Sequence, residues 1–166
     1  AQNDLDGGAQ ITASHNPGQY NGLKLVGRQA QPLSGDAGIS DIRDMLLSDT
    51  VPPPADEHGC YTQEHILDNY LDHILSFIDS SKIKPFSLVL DAGSGTGGIV
   101  GAALFDRLPC RTTRLCFDVD GSFPHHEANP LIEENRQGLV DRVRLDSADA
   151  GIAWDGDADR CFFVDG

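Results

Sequence analysis

The sequence predicts an α/β protein with mixed, mostly parallel sheets and flanking helices. Three observations carry this. Short apolar or β-branched runs at 87–90, 114–119, 151–154 and 161–164 have the length of strands. Between them lie segments with apolar residues at helical spacing, and strands that alternate with helices form a parallel sheet. The first of these runs leads into Asp91-Ala92-Gly93-Ser94-Gly95-Thr96-Gly97-Gly98 and a helix through Ala102, Ala103, Leu104 and Leu108, the first half of a βαβ unit. Sheets of this kind carry ligand loops at their strand ends.

In chain order, 9–13 reads as a strand entering the loop Ser14-His15-Asn16-Pro17, and 22–26 as the strand leaving it. Residues 36–47 place Ile39, Ile42, Met45 and Leu46 at helical spacing, with Asp36 where the helix dipole favours an acid. The stretch 48–59 holds Pro52-Pro53-Pro54 with Asp49, Asp56, Glu57 and His58, and reads as a linker at a domain boundary. Thr62 then offers an N-cap to a helix of about five turns, with Ile66, Leu67, Tyr70, Leu71, Ile74, Leu75 and Ile78 on one face; Pro85 stops it. Beyond the strand at 114–119 comes a loop with Pro124, His125, His126, Asn129 and Pro130. Leu139, Val140, Val143 and Leu145 then suggest a helix before the last two strands.

Composition excludes several classes. The 166 residues suit one large domain or two small ones. Hydrophobic residues make up 39%, with no run near the roughly 20 that span a bilayer, so no membrane association is expected. A net charge of −14 disfavours nucleic acid, though not a small anion met by local cations. Cys60, Cys110, Cys116 and Cys161 lack paired metal spacing and read as reduced thiols, three of them in or beside buried segments, in a cytoplasmic protein. The polar start lacks a signal-peptide core and an initiating methionine, and the chain stops where a strand would turn. A piece of a larger protein is expected.

Two stretches hold the chemistry. Thr12-Ala13-Ser14-His15-Asn16-Pro17 sets a hydroxyl beside an imidazole on a proline-stiffened loop, with Lys24 ten residues beyond Ser14. A hydroxyl needs a base or a metal to act as a nucleophile, and the same residues also suit an ordinary turn. Near the other end, Asp155-Gly156-Asp157-Ala158-Asp159-Arg160 spaces three carboxylates at i, i+2 and i+4, able to converge on one hard cation such as Mg²⁺, Mn²⁺ or Ca²⁺. Arg160 and Gly166 occupy the positions where an EF-hand needs glycine and glutamate, which argues against a calcium sensor. The rival is the glycine turn at 93–97. A strand ending in Asp, alternating glycines and a helix can hold S-adenosylmethionine or a nucleotide, so a methyltransferase or nucleotide-binding domain is the alternative. That reading leaves the Ser14 and Asp155 loops without a role, and Asp118 sits only loosely where it would need an acid. His125-His126 with Glu127 reads as a solvated loop rather than a metal cluster, because adjacent histidines point different ways.

TASHNPGQYNGLK near the start and DGDADR near the end, with LVLDAGSGTGG and DGSFPHHEANP between, together resemble the α-D-phosphohexomutase family in its phosphomannomutase/phosphoglucomutase branch. The resemblance runs from about Asp6 to Gly166 and implies a structural role for the glycine turn. By it, Ser14 carries the phosphoryl group. Asp155, Asp157 and Asp159 hold Mg²⁺ together with an oxygen of the phosphoserine. Lys24 is the candidate general acid/base, with His15 and Arg160 assisting; a lysine fills that role only if its pKa is lowered, for instance by Arg160. The implied reaction interconverts hexose 1-phosphate and hexose 6-phosphate, of mannose or glucose, through a hexose 1,6-bisphosphate. Residues 1–60 would be the later part of the family's first domain, and 61–166 its second domain, truncated at its end. The third and fourth domains, which contact the sugar hydroxyls and the substrate phosphate, have no counterpart here, so the chain alone is expected to be inactive.

Overall fold

The computed structural model describes residues 4–57 and 59–165; His58, assigned above to the linker, lies outside the described residues. Contacts divide the chain into two compact units, one holding residues up to Thr12 and Gly22–Glu64, the other Ala13–Asn21 and His65 onward. The Ser14 loop thus belongs by its contacts to the second unit, although in sequence it interrupts the first.

The first unit is built on an antiparallel pair, β1 (Gly7–Ile11) and β2 (Leu23–Gly27), in register from Gly7 opposite Gly27 to Ile11 opposite Leu23. Thr12 N donates to Gly22 O at 3.0 Å and extends the pairing by a step. A Cβ on Gly22 would stand 2.7 Å from Thr12 O, so that position tolerates little but glycine. The helix expected over 36–47 is broken: Gly35–Ala37 forms a 3-10 turn, Gly38 takes φ +111°, and α1 runs only over Ile39–Leu47. A left-handed residue cannot continue a right-handed helix, and glycine is the residue that adopts it without strain. No residue of α1 is buried.

The second unit starts with α2 (Leu67–Leu75), shorter at both ends than expected. Thr62 caps nothing, because 62–66 lie exposed outside the helix. At the other end, Ser76 Oγ donates to His73 O at 2.7 Å, and the backbone tightens to i−3 bonds at Phe77 and Ile78. Leu71 is the residue of α2 that is buried, and Arg107 grips Asp72 at 2.6 Å and Asp68 at 2.5 Å, one turn apart on it.

The four-stranded sheet of this unit has the order β4 (Arg111–Leu115), β3 (Ser87–Asp91), β5 (Ala150–Trp154), β6 (Cys161–Asp165). Central β3 pairs in parallel with β4 and β5, and β6 runs antiparallel to β5 at the edge. Strand β4 lies earlier than the expected 114–119, because Cys116 turns to φ +52° and ends the ladder. Helices α3 (Gly97–Phe105) and α4 (Glu133–Asp146) complete the βαβ connections. Helix α4 reaches further back than its apolar residues suggest, with Glu133 and Glu134 in the first turn, where the dipole favours acids.

Leu139 and Val143, one turn apart on α4, pack with Val89, Ala148 and Ala153 into the core under the sheet. Fully burying a leucine or valine side chain stabilises by about 1.5–3 kcal/mol. The approach is close: a Cβ on Gly151 would stand 2.8 Å from Val143 Cγ2 and 2.9 Å from Leu139 Cδ1. Three parallel strands clamped this way deliver three loops side by side at their carboxyl ends, which is what positions the site. Among the described residues, no helix is long and apolar enough to cross a membrane.

Candidate active site

The turn after β5 is organised by Asp155, which is completely buried. Its Oδ1 accepts from Arg160 N at 3.2 Å, and its Oδ2 accepts from Arg160 Nε at 3.0 Å and Nη2 at 2.5 Å. Ala158 N donates to Asp155 O at 3.0 Å, and Ala158 sits at φ +58°, curling the turn tightly. One oxygen each of Asp155, Asp157 and Asp159 thereby lies within 4.8 Å of the others, with Asp157 half-buried and Asp159 exposed.

Ser14 is brought to this turn. Its hydroxyl has one proton to share between Asp155 Oδ2 at 2.9 Å and Asp157 Oδ1 at 3.2 Å, and it accepts from Arg160 Nη2 at 2.9 Å. The Ser14 backbone is left-handed, φ +56°, a conformation that costs about 1 kcal/mol or more in a non-glycine residue. The loop around it supports that strain. Asn16 N and Nδ2 both donate to Ala13 O, at 3.1 and 2.7 Å, and Tyr20 N donates to Pro17 O at 2.9 Å.

Two glycines let backbones meet without side chains. A Cβ on Gly156 would fall 2.4 Å from Ser14 O, and one on Gly18 would fall 2.4 Å from Gly121 O. His15 does not touch the Ser14 hydroxyl; its Nδ1 accepts from Arg160 Nη2 at 2.5 Å, since a guanidinium has no lone pair to offer in return. Arg160 therefore ties the imidazole to the hydroxyl and the carboxylates. Burial pulls its pKa down, but the hydrogen bonds and charges of Asp155 and Asp159 more than offset this and hold it above its ordinary value, a permanent cation.

The donor set suits a divalent cation. Three carboxylates and a hydroxyl offer hard oxygens only, the donors that Mg²⁺ takes. Lys24 stands exposed on β2 in the first unit, opposite Gln10.

The glycine turn after β3 is closed by protein. Thr96 N donates to Gly156 O at 3.0 Å and Ser94 N to Cys116 O at 2.8 Å. Cβ atoms on Gly95 and Gly98 would meet Gly156 O at 2.6 Å and Phe117 O at 2.3 Å. The glycines that would have admitted a nucleotide's phosphates instead admit neighbouring backbone, so the methyltransferase or nucleotide-binding reading is not favoured.

Sequence reasoning missed a second cluster, Asp91, Cys116 and His126, whose ligating atoms also lie within 4.8 Å of one another. His126 was expected in a solvated loop. It is instead partly buried against Asp91, with Nε2 3.1 Å from Oδ2. The aspartate at the strand end was visible as a signal, but its partners come from distant loops. The four cysteines are free as expected, yet none is fully buried; Cys60 and Cys161 are exposed.

The chain is similar to known proteins in sequence and in fold. Family models described as phosphoglucomutase/phosphomannomutase alpha/beta/alpha domain I and domain II match residues 1–50 and 68–166. The chain belongs to the phosphoglucomutase/phosphomannomutase family. It is 46% identical over 162 residues to the Xanthomonas campestris pv. campestris (strain B100) protein named "Phosphohexose mutases", covering 96% of this chain and 35% of that protein. An Escherichia coli protein named phosphomannomutase is 41% identical over 169 residues, covering 97% of this chain and 37% of the relative. A crystal structure of a family protein from Burkholderia thailandensis superposes with a TM-score of 0.86 at 32% identity, over 97% of this chain and 34% of that one. The chain thus spans about a third of the length of these relatives.

Proposed function

We propose that this chain is the phosphoserine and metal half of a phosphosugar mutase, an intramolecular phosphotransferase that interconverts hexose 1-phosphate and hexose 6-phosphate of mannose or glucose. In this reading residues 1–60 are the later part of a first domain and 61–166 a second domain, and further domains complete the sugar and phosphate sites. The observation that carries it is the Ser14 hydroxyl, 2.9 Å from Asp155, 3.2 Å from Asp157 and 2.9 Å from the Arg160 guanidinium across 141 or more residues of sequence. A solvated turn has no reason to assemble a nucleophile, a cation and converging acids.

The reaction has two halves. Phosphoserine 14 gives its phosphoryl group to the free hydroxyl of a hexose monophosphate: the Ser14 Oγ–P bond breaks, a sugar O–P bond forms, and the sugar hydroxyl proton passes to a base. The 1,6-bisphosphate turns over in the site, and Ser14 Oγ then takes the other phosphoryl group, so the enzyme ends as it began. Phosphoryl transfer depends on positioning and charge stabilisation more than on covalent chemistry from the protein. Arg160 Nη2 stands where charge collects on Oγ as its bond to phosphorus breaks. Asp155, Asp157, Asp159 and a Ser14 phosphate oxygen would hold Mg²⁺, which supplies neutralisation of the transferred group's charge. Lys24 is assigned as general acid/base, with His15, oriented by Arg160, in support.

Phosphopeptide mapping of the full-length protein, purified with Mg²⁺ and exposed to a hexose 1,6-bisphosphate, tests this. Phosphate on Ser14 is the expected result. An unmodified Ser14 in the presence of bound bisphosphate would demote the loop to a turn.

A further inference from the structure

The proposed chemistry leaves unused a side-chain cluster at the end of β3, Asp91 with Cys116 and His126. Asp91, 3% exposed at the end of β3, accepts from Gly93 N at 2.9 Å, and its carboxylate faces His126 Nε2 at 3.1 and 3.3 Å and the Cys116 thiol. The other ring nitrogen, Nδ1, lies 3.0 Å from Glu127 O. Both ring nitrogens therefore face acceptors. A neutral imidazole has one N–H and would leave one of these contacts lone pair against lone pair; the imidazolium satisfies both.

His126 also sits at the hub of the loop between β4 and α4. Two residues beyond it, Ala128 is 1% exposed and wedged between turns: a Cβ on Gly93 would stand 3.3 Å from Ala128 Cβ, and one on Gly156 would stand 3.7 Å from it. Earlier in the same loop, Asp120 N donates to Ser94 O at 2.9 Å, and Gly121 O is the atom against which Gly18 of the Ser14 loop rests. One loop thus braces both the Asp155 turn and the Ser14 loop, and the His126 imidazole ties it to the carboxylate at the end of β3.

We infer that His126, donating from both ring nitrogens, is a positioning residue that holds this loop, and through it the Ser14 and Asp155 loops, in the arrangement phosphoryl transfer needs. The inference rests on the mutase reading. Asp91 and Cys116 are the titratable groups facing the ring from the packed elements, and the hydrogen bond to Asp91 raises the His126 pKa above its ordinary 6.5, burial opposing. A raised pKa means that the clamp is fully present below the unfolded value of 6.5 and is lost as pH rises through the folded one.

The test uses the full-length protein labelled with ¹⁵N-histidine, with His126→Ala and His126→Gln variants. Glutamine keeps a neutral N–H donor toward Asp91 and cannot titrate. We expect two protonated ring nitrogens on His126 at pH 6. His126→Ala should lower kcat by about tenfold or more with KM little changed. His126→Gln should recover most of that rate and abolish the part of the alkaline decline due to this residue. A neutral ring at pH 6, an alanine variant with wild-type kcat, or a glutamine variant as impaired as alanine would each overturn the inference. So would stoichiometric zinc that is lost in both His126→Ala and Cys116→Ser, since the cluster would then be a metal site. If the wild type shows no mutase turnover, the mutase reading fails. The clamp is then judged by the ring protonation and by whether amide signals of 13–21 and 155–160 shift in His126→Gln above pH 6.5. If the alanine variant does not fold, the wild-type spectra and the glutamine variant still decide.

Discussion

The turns that follow β3 and β5 are built alike and end up with different tasks. Each leaves a parallel strand through a buried aspartate, Asp91 at 3% exposure and Asp155 at 0%. Each continues through small residues and a left-handed position, and the two are joined by the Thr96 N to Gly156 O bond. They differ in what the aspartate meets. Asp91 is enclosed by a backbone amide, a thiol and an imidazole, and the glycines after it are filled by neighbouring backbone. Asp155 meets a backbone amide too, but with it a guanidinium and a hydroxyl, and its turn brings a carboxylate oxygen each of Asp157 and Asp159 near its own. A place at the carboxyl end of a parallel strand therefore does not make a site. Convergent, accessible polar groups do.

Substitutions can break or sharpen this contrast. The largest effect should come from Ser14→Ala in the full-length protein, which removes the proposed phosphoryl carrier and should lower turnover by more than about 10³-fold, with no phosphoprotein by mass spectrometry. Asp157→Asn should lower turnover by about 10²–10³-fold and weaken Mg²⁺ binding in calorimetry. Asp91→Asn should cost about tenfold in rate, but roughly 2 kcal/mol in denaturant unfolding, because it leaves the His126 cation without its counter-charge. Equal rate losses at Asp157 and Asp91 would erase the distinction between the turns.

Two glycines sharpen it further. Gly156→Ala drives a methyl at Ser14 O and should cut transfer by about 10²-fold through misplacement of the serine. Gly98→Ala drives one at Phe117 O and should destabilise by about 1–3 kcal/mol while leaving the rate per folded molecule nearly intact. The smallest effect is a difference in thiol reactivity. Burial first, and then the charge and hydrogen bond of Asp91, push the Cys116 thiol up to about 11. At pH 8 about one Cys116 in a thousand is thiolate, so a thiol-exchange reagent should label exposed Cys60 and Cys161 well before it.

Much of the fold and site was legible because it is encoded over short distances. Glycine, proline and aspartate act on the backbone within a few residues, so the Ser14 loop, the Asp155 turn and the glycine turn all stand where the sequence suggests. Helix ends were less legible. Apolar spacing continues to Ile78, but Phe77 is 73% exposed and nothing buried rewards further turns. The early end of β4 depends on Cys116 turning left-handed, which no local pattern announces.

By itself the sequence determined the class of fold, a hydroxyl beside an imidazole as the nucleophile candidate, and three acids spaced to converge, since periodicity and turn chemistry are properties of neighbours in the chain; that the acids serve Ser14 came only from the family resemblance. The tertiary structure alone decided that the Ser14 loop joins the second unit, that Arg160 bridges Ser14, His15 and Asp155, and that His126 closes on Asp91. Apart from the Arg160–Asp155 contact within one turn, those contacts unite side chains 141 to 146 residues apart in the first two cases and 35 in the last. Loops from different strands meet only when a sheet has set their order, and charge pairing of this kind leaves no periodic trace in the sequence.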